Sequence, residues 1–401
     1  MATKSKAWDN ASGLALKPEY KARARAGIIA AADWSTRNQI RHSWPRWTAD
    51  AGRFVYHVHL PSGDIMYSTS WNTARNVQGM LSAWQVTGRK EYLETAEWGL
   101  GYVKSLQVFS PEHERVPGAF IEETPVNDHV GPRDGIECTQ ALMSHYFATK
   151  DEISLGRAKA FLNWFVKAVE TGLWPCSYIY IIPEWKPLKC SLEGAFCAYA
   201  ASIPLVQYAS VTGEKKYLKL AEYLANLTID RLQQCDGSLK LPGEWGHHTS
   251  AGDTTIYNDD GLGTALIATW TGTGKKKYLD AAVANGDWWI NRGENLPTNY
   301  AMIPAVMLFM ADLIRATGEE RFMDYVNGMA ERFFSLQIMR DERPRVSGAF
   351  LGEDMASTYR KGSTSGEWIS LRCISYGLLS LGKLAAKGAK QWGPSYSGFG
   401  F

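Results

Sequence analysis

Two kinds of stretch alternate along the chain. One is apolar and rich in small residues nearly all round, as in 194–211 and 299–313. The other, as in 217–232, carries an apolar stripe between Lys, Glu and Asn, the pattern of a helix with one buried face. The first kind ends at a recurring Thr-Gly, and the second starts at the aromatic-aliphatic pair that follows: Thr87-Gly88 with Tyr92-Leu93, Thr212-Gly213 with Tyr217-Leu218, Thr273-Gly274 with Tyr278-Leu279, Thr317-Gly318 with Phe322-Met323. Gly supplies the left-handed position that ends a helix, so each copy predicts a helical hairpin. Gly88 and Gly213 lie 125 residues apart, about twice the 61 between Gly213 and Gly274, and the degenerate Ala148-Thr149-Lys150 fills the gap. Repetition at this period means one supersecondary unit stacked on itself.

The pattern predicts six first helices at 72–87, 134–149, 193–212, 260–273, 299–317 and 367–386. Five partners fall at 91–108, 153–171, 215–234, 276–292 and 320–338, and the sixth is the Ala-rich stretch 18–40 near the other end of the chain. A partner supplied from there implies a closed ring: an all-α (α/α)6 toroid, with the all-round apolar helices as inner barrel and the amphipathic set as outer sheath. No linker or composition break interrupts the repeat, so residues 1–401 are read as one domain.

Connections within hairpins are short, whereas those between hairpins are long: 41–71, 109–133, 172–192, 235–259 and 339–366. In a closed ring the long ones share one face, and long loops in compact domains usually carry function. The same face receives the inner-helix starts Trp71-Asn72-Thr73-Ala74-Arg75, Arg133-Asp134-Gly135-Ile136-Glu137, Ser191-Leu192-Glu193-Gly194, Tyr257-Asn258-Asp259-Asp260-Gly261, Thr298-Asn299-Tyr300 and Gly366-Glu367-Trp368. Acids at helix starts complement orphan amides and the helix dipole. Ring geometry adds a second consequence, since it gathers several of them at one mouth.

Carboxylates in an aromatic cleft suit acid and base work on a glycosidic bond, which needs one protonated and one ionised group. The candidates are Asp134, Glu137, Asp259 and Asp260; Asp134 and Glu137, three apart, share a helix face. Glu193 and Glu367 rank behind them. His129, His247 and His248 are candidate substrate contacts, as are the aromatic residues Trp71, Trp245, Tyr257, Tyr300 and Trp368. Arg75 and Arg133 either meet an acidic sugar or neutralise neighbouring acids.

Composition narrows the classes. A net charge of +2 gives nucleic acid or an anionic membrane no bulk attraction, and no apolar run approaches the ~20 residues of a membrane span. No metal set, phosphate loop or dinucleotide fingerprint is present, so no cofactor is expected. Sixteen Trp and 19 Tyr exceed ordinary core needs and fit sugar stacking or loop packing. The six cysteines read as buried thiols in a reducing compartment, with a Cys176–Cys190 disulfide as the alternative. No signal-peptide core follows Met1, which leads to the expectation of a cytoplasmic protein, or a periplasmic or secreted one whose leader has been removed.

The six inner helices with acidic starts, the Gly118-Ala119-Phe120 and Gly348-Ala349-Phe350 turns and the Asp-Gly-Ile-Glu start at Asp134 resemble the six-hairpin α/α-toroid glycosidases. Within these the chain is most similar to the unsaturated glucuronyl hydrolase and β-glucuronidase-like families. The resemblance implies an essential Asp near an inner-helix start, which falls on Asp134, a second acid on another inner helix, and a uronic-acid-containing carbohydrate as substrate. Three other readings share the toroid. A polysaccharide lyase would use Tyr257-Asn258, His247-His248 and Tyr300; a sugar epimerase would rely on paired histidines; a carbohydrate-binding protein would need no convergent acids. Terpene cyclases rank last, on the faint echo in Gln234-Cys235-Asp236-Gly237-Ser238.

Overall fold

The computed structural model describes residues 16–41, 50–109, 116–122, 129–171, 176–179, 184–187, 198–240, 261–292, 302–352 and 360–385. Twelve α-helices among them alternate between an outer and an inner layer. The outer ones are α1 (Pro18–Arg37), α3 (Lys90–Ser105), α5 (Glu152–Glu170), α7 (Lys215–Leu227), α9 (Lys276–Arg292) and α11 (Glu320–Ser335). The inner ones are α2 (Ser70–Thr87), α4 (Pro132–Thr149), α6 (Ser202–Thr212), α8 (Leu262–Thr273), α10 (Met302–Thr317) and α12 (Leu371–Ala385).

Each inner helix packs on the next, α2 on α4, then α6, α8, α10, α12 and back to α2, so the all-α toroid closes. Helix α1 packs on α12 and α2 and touches α11, the place expected of the missing sixth partner. Layer identity follows the pattern. Helix α2 is buried without a break from Asn72 to Ala83, whereas α7 buries only Tyr217, Ala221, Leu224 and Ala225, a single stripe.

The Thr-Gly repeat has a local cause. Gly88, Gly213, Gly274 and Gly318 end inner helices with φ between 71° and 75°. In the degenerate copy Lys150 adopts φ 61° without being glycine. The Thr before each donates its hydroxyl to the carbonyl four residues back, as Thr87 does to Ala83, and accepts the amide two residues on, as from Arg89. Thr149, Thr212, Thr273 and Thr317 repeat both bonds. Tyr92, Tyr217 and Tyr278 then reach back to the preceding outer helix, bonding Asp33 at 2.7 Å, Asn163 at 2.7 Å and Asn226 at 3.2 Å.

A second repeat links outer helices at the opposite end. Gln39, Gln107, Gln233 and Gln337 follow the ends of α1, α3, the π-turn after α7 and α11, and their amides donate forward to Thr95, Arg157, Ala281 and Gly27 carbonyls at 2.7–2.9 Å. Each is followed by a glycine at φ 86–99°, Gly52, Gly118, Gly237 or Gly348. An added Cβ there would overlap a carbonyl oxygen of the next outer helix, at Trp98, Ala160, Ala284 and Ala30 in turn. The Gln234-Cys235-Asp236-Gly237-Ser238 stretch is therefore one copy of this turn, which gives its likeness to terpene cyclases a packing origin. Gln337 bonds both Gly27 and Gly348 and so joins the last outer helix to the first. Gln337→Ala is expected to cost about 1–3 kcal/mol, since it orphans buried carbonyls; a denaturant midpoint unchanged from the parent would refute that role.

The starts of the ring's helices depart from expectation in two places: the third inner helix, expected from 193, spans Ser202–Thr212. The sixth inner helix begins at Leu371, not at 367. Glu367 instead closes a capping box with Thr364, whose amide it accepts at 2.7 Å, and Trp368–Ser370 forms strand β6. Strand β6 pairs antiparallel with β1 (Val55–His59), which also pairs with β2 (Ile65–Tyr67). Trp368, Ile369 and Ser370 have their hydrogen-bonding partners fixed in that sheet, so helix winding starts only after them. A second antiparallel sheet orders β3 (His129–Val130), β4 (Cys176–Ile179) and β5 (Glu184–Pro187). Of the cysteines, Cys138 and Cys373 are buried thiols, while Cys235 is exposed, contrary to the expectation of burial; the sulfurs of Cys176, Cys190 and Cys197 lie outside the described residues.

Candidate functional site

Helix α4 starts at Pro132, whose fixed φ suits a first helical position, after Gly131 as N-cap with no side-chain cap. One turn in, Asp134 and Glu137 share a face and are each 7% exposed. Burial pushes the Asp134 carboxyl well above the usual carboxylate range, the charges of Glu122 and Glu137 add to this, and Arg133 opposes it. Asp134 also accepts its own backbone amide, the local role expected of an acid in a first turn, but burial outweighs that bond.

Arg75, 2% exposed on α2, crosses to α4, where it ion-pairs with Glu137 and donates to Gln140 Oε1 at 3.5 Å. Its guanidinium also lies 5.1 Å from the Tyr376 ring centre on α12. Three inner helices therefore meet at one charge, and neutralisation of an acid is the role the geometry gives Arg75. Arg133 is half-buried and lies 5.3 Å from the Trp71 ring centre. Glu122 comes from the preceding loop, which is fastened to α2 by the Ser70 amide donating to the Glu122 carbonyl at 2.8 Å. Cys138, below the acids, keeps its proton: burial and then the Asp134 and Glu137 charges push the thiol up.

An aromatic row continues from this point along β1 and β6. Trp71 meets Tyr56 edge-on at 6.2 Å, Tyr56 lies 3.8 Å from His57, and Trp368 sits 5.7 Å from His57 and 4.6 Å from His59. Trp368 is 4% exposed, with its Nε1 donating to Ser363 Oγ at 3.0 Å, so it builds the wall of the sheet. His59 is held by Ser62 at 2.7 Å and approached by Arg360 at 3.3 Å.

Asp134, Glu137, Arg75, Arg133 and Trp71 thus converge, with Trp368 joined to them through Tyr56 and His57. The backbone of His129 pairs with Ile179 in the second sheet. Glu193, Trp245, His247, His248, Tyr257, Asn258, Asp259, Asp260 and Tyr300 lie outside the described residues. Sequence reasoning did not single out Glu122, Gln140 or Tyr376. Gln140, three residues past Glu137, was within reach of a helix-face argument; Glu122 and Tyr376 meet the acids and Arg75 only through tertiary contacts. His145 lies on α4, where burial lowers its pKa to about 4, and it contacts Ser154 at 2.9 Å.

A second buried ionic group lies between other inner helices. Asp312 on α10 ion-pairs with Lys383 on α12, accepts Thr264 of α8 at 3.2 Å and feels the Arg315 charge.

No protein-family profile matches the chain, and no curated protein matches it. Solved structures match across nearly its whole length. Cellobiose 2-epimerase from Bacillus thermoamylovorans B4167 is 12% identical, covering 91% of this chain and 99% of its own, with a TM-score of 0.66. An unsaturated glucuronyl hydrolase specific for heparin is 11% identical, over 92% and 98%, with a TM-score of 0.64. An inactive variant of a Salegentibacter sp. HEL1_6 α-1,6-mannanase, with two consecutive aspartates replaced by alanine, is 12% identical, over 90% and 98%, with a TM-score of 0.61. At these identities the likeness is one of fold.

Proposed function

We propose that this protein is a carbohydrate-active enzyme, a glycoside hydrolase that cleaves a glycosidic bond in a uronic-acid-containing oligo- or polysaccharide. The carrying observation is Asp134, a buried carboxyl that burial, with the nearby Glu122 and Glu137 charges, pushes well above the usual carboxylate range. In this reading Asp134 gives its proton to the glycosidic oxygen as the C–O bond breaks. Water adds to the anomeric carbon, and a second carboxylate, from Glu137 or the Asp259-Asp260 pair, takes the proton that water releases. The fold-level neighbours named above support the reading, since each acts on a saccharide by its printed name; in the mannanase, loss of two consecutive aspartates accompanies inactivity. Arg133, whose guanidinium lies 5.3 Å from the Trp71 ring centre, would meet a substrate carboxylate at the mouth, while Arg75 pairs with Glu137.

A uronide oligosaccharide panel read by mass is the test. The expected product gains one water. Activity should also fall as pH rises through the raised Asp134 value, because only the protonated acid can donate. An unsaturated product would favour a lyase. Epimerisation, which His57 and His59 flanking Trp368 would suit, would give an isomer of unchanged mass.

A further inference from the structure

Two buried amide side chains on the inner helices that carry Arg75 and the acids have polar atoms with no hydrogen-bond partner among the described residues. Asn72, in the first turn of α2, is 1% exposed, and among the described residues neither its Nδ2 nor its Oδ1 meets a hydrogen-bonding group. Capping does not account for it: the N-cap is Thr69, and no side-chain cap bond is made there. Gln140 on α4 is also 1% exposed; its Oε1 takes the Arg75 bond, while its Nε2 has no partner. Buried polar groups are normally satisfied, so both invite a ligand.

Their placement says which. Asn72 and Arg75 are three apart and share a helix face, and Arg75 reaches Glu137 and Gln140 on the neighbouring helix. Asn72 therefore sits one turn nearer the start of α2, on the side where the acids gather. A carboxamide with donor and acceptor both open matches a hydroxyl, which accepts and donates; a carboxylate would use the donor alone.

We propose that Asn72, with Gln140 Nε2, reads the hydroxyl edge of a pyranose ring bound beside Asp134. Asn72 takes an adjacent hydroxyl pair, and Gln140 donates to a further oxygen. This rests on the glycosidase reading and deepens it, dividing recognition between hydroxyls at Asn72 and a uronate at Arg133.

The test titrates methyl α- and β-D-glucuronide and their 2-, 3- and 4-deoxy derivatives into full-length Asp134→Asn protein by calorimetry. The same series is run with Asn72→Leu added. At least one deoxy derivative should bind about ten- to a hundredfold more weakly than its parent, the loss expected for one or two hydrogen bonds. Asn72→Leu should weaken the parent by a similar factor and abolish the difference between parent and deoxy sugar. The thermal midpoint should hold or rise, because no internal bond is lost. Unchanged affinity, retained discrimination, a midpoint several degrees lower, or no binding of any of these pyranosides by the Asn72 protein would each overturn the proposal. Water-addition products from the unsubstituted enzyme together with unaltered sugar binding by Asn72→Leu would remove this inference alone. The expected binding pattern without bond cleavage would remove only the hydrolase reading.

Discussion

Asp134→Asn should lower turnover by about 10²- to 10⁴-fold, the usual contribution of a positioned general acid, and should leave the fold at least as stable at neutral pH. The second half of that expectation is the more telling. The folded-state value of Asp134 lies above its unfolded one, mainly through burial. Between those values the folded protein binds more protons than the unfolded chain, so stability falls as pH rises and the full penalty is carried above the folded value. An Asn has no such titration. The stability advantage of the variant should therefore be present near pH 7 and shrink as pH falls through the raised value. Chemical denaturation at several pH values beside a turnover assay separates the cases: near-normal turnover removes Asp134 from catalysis, and a loss of stability at neutral pH makes it a structural acid.

Asp312→Ala is expected to be the most destabilising single change to the ring. It removes the Asp312 carboxylate from the buried Lys383 and the neighbouring negative charge from Arg315. Removing one partner of a buried pair typically costs about 3–5 kcal/mol. Burial already lowers Lys383 to about 8 against 10.5 in the unfolded chain, and loss of Asp312 lowers it further. Between the variant's new value and about 8, only the variant has a folded state holding fewer protons at this lysine than the unfolded chain. Its deficit relative to the parent should thus narrow as pH rises from 6 toward 8. The double variant Asp312→Leu with Lys383→Met should recover most of the loss, since well-packed apolar pairs often replace buried ion pairs at little cost. A deficit that is small and flat with pH would mean the cations find other partners.

Part of the candidate site was readable from residue spacing. Asp134 and Glu137 share a face because helices bring i and i+3 together, and their position after Pro132 put them at the start of an inner helix. Trp71 and Arg133 were readable as members of the same mouth. Their contact was not, because a cation over a ring depends on how α2 and α4 lean together. The role of Arg75 was open between a sugar carboxylate and an internal acid until its pairing with Glu137 was seen. Trp368 was misplaced by its helical context. The residues from 367 onward are apolar and helix-compatible, but β1 supplies a hydrogen-bonding edge that local propensity cannot register. Asn72 looked like an ordinary first-turn residue, and only the absence of a partner around it made it a recognition candidate.

The chain by itself determined the hairpin count, the inner and outer assignment and the closure by α1. Those features rest on short-range terms: the left-handed turn after each Thr, the width of the apolar stripe, and the aromatic that reaches one helix back. Tertiary structure decided which acid loses its water and so has its pKa raised, which arginine pairs with Glu137, and where a loop folds into a sheet. These depend on desolvation and on contacts between residues as distant as Arg75 and Tyr376, and such couplings leave no period in a sequence.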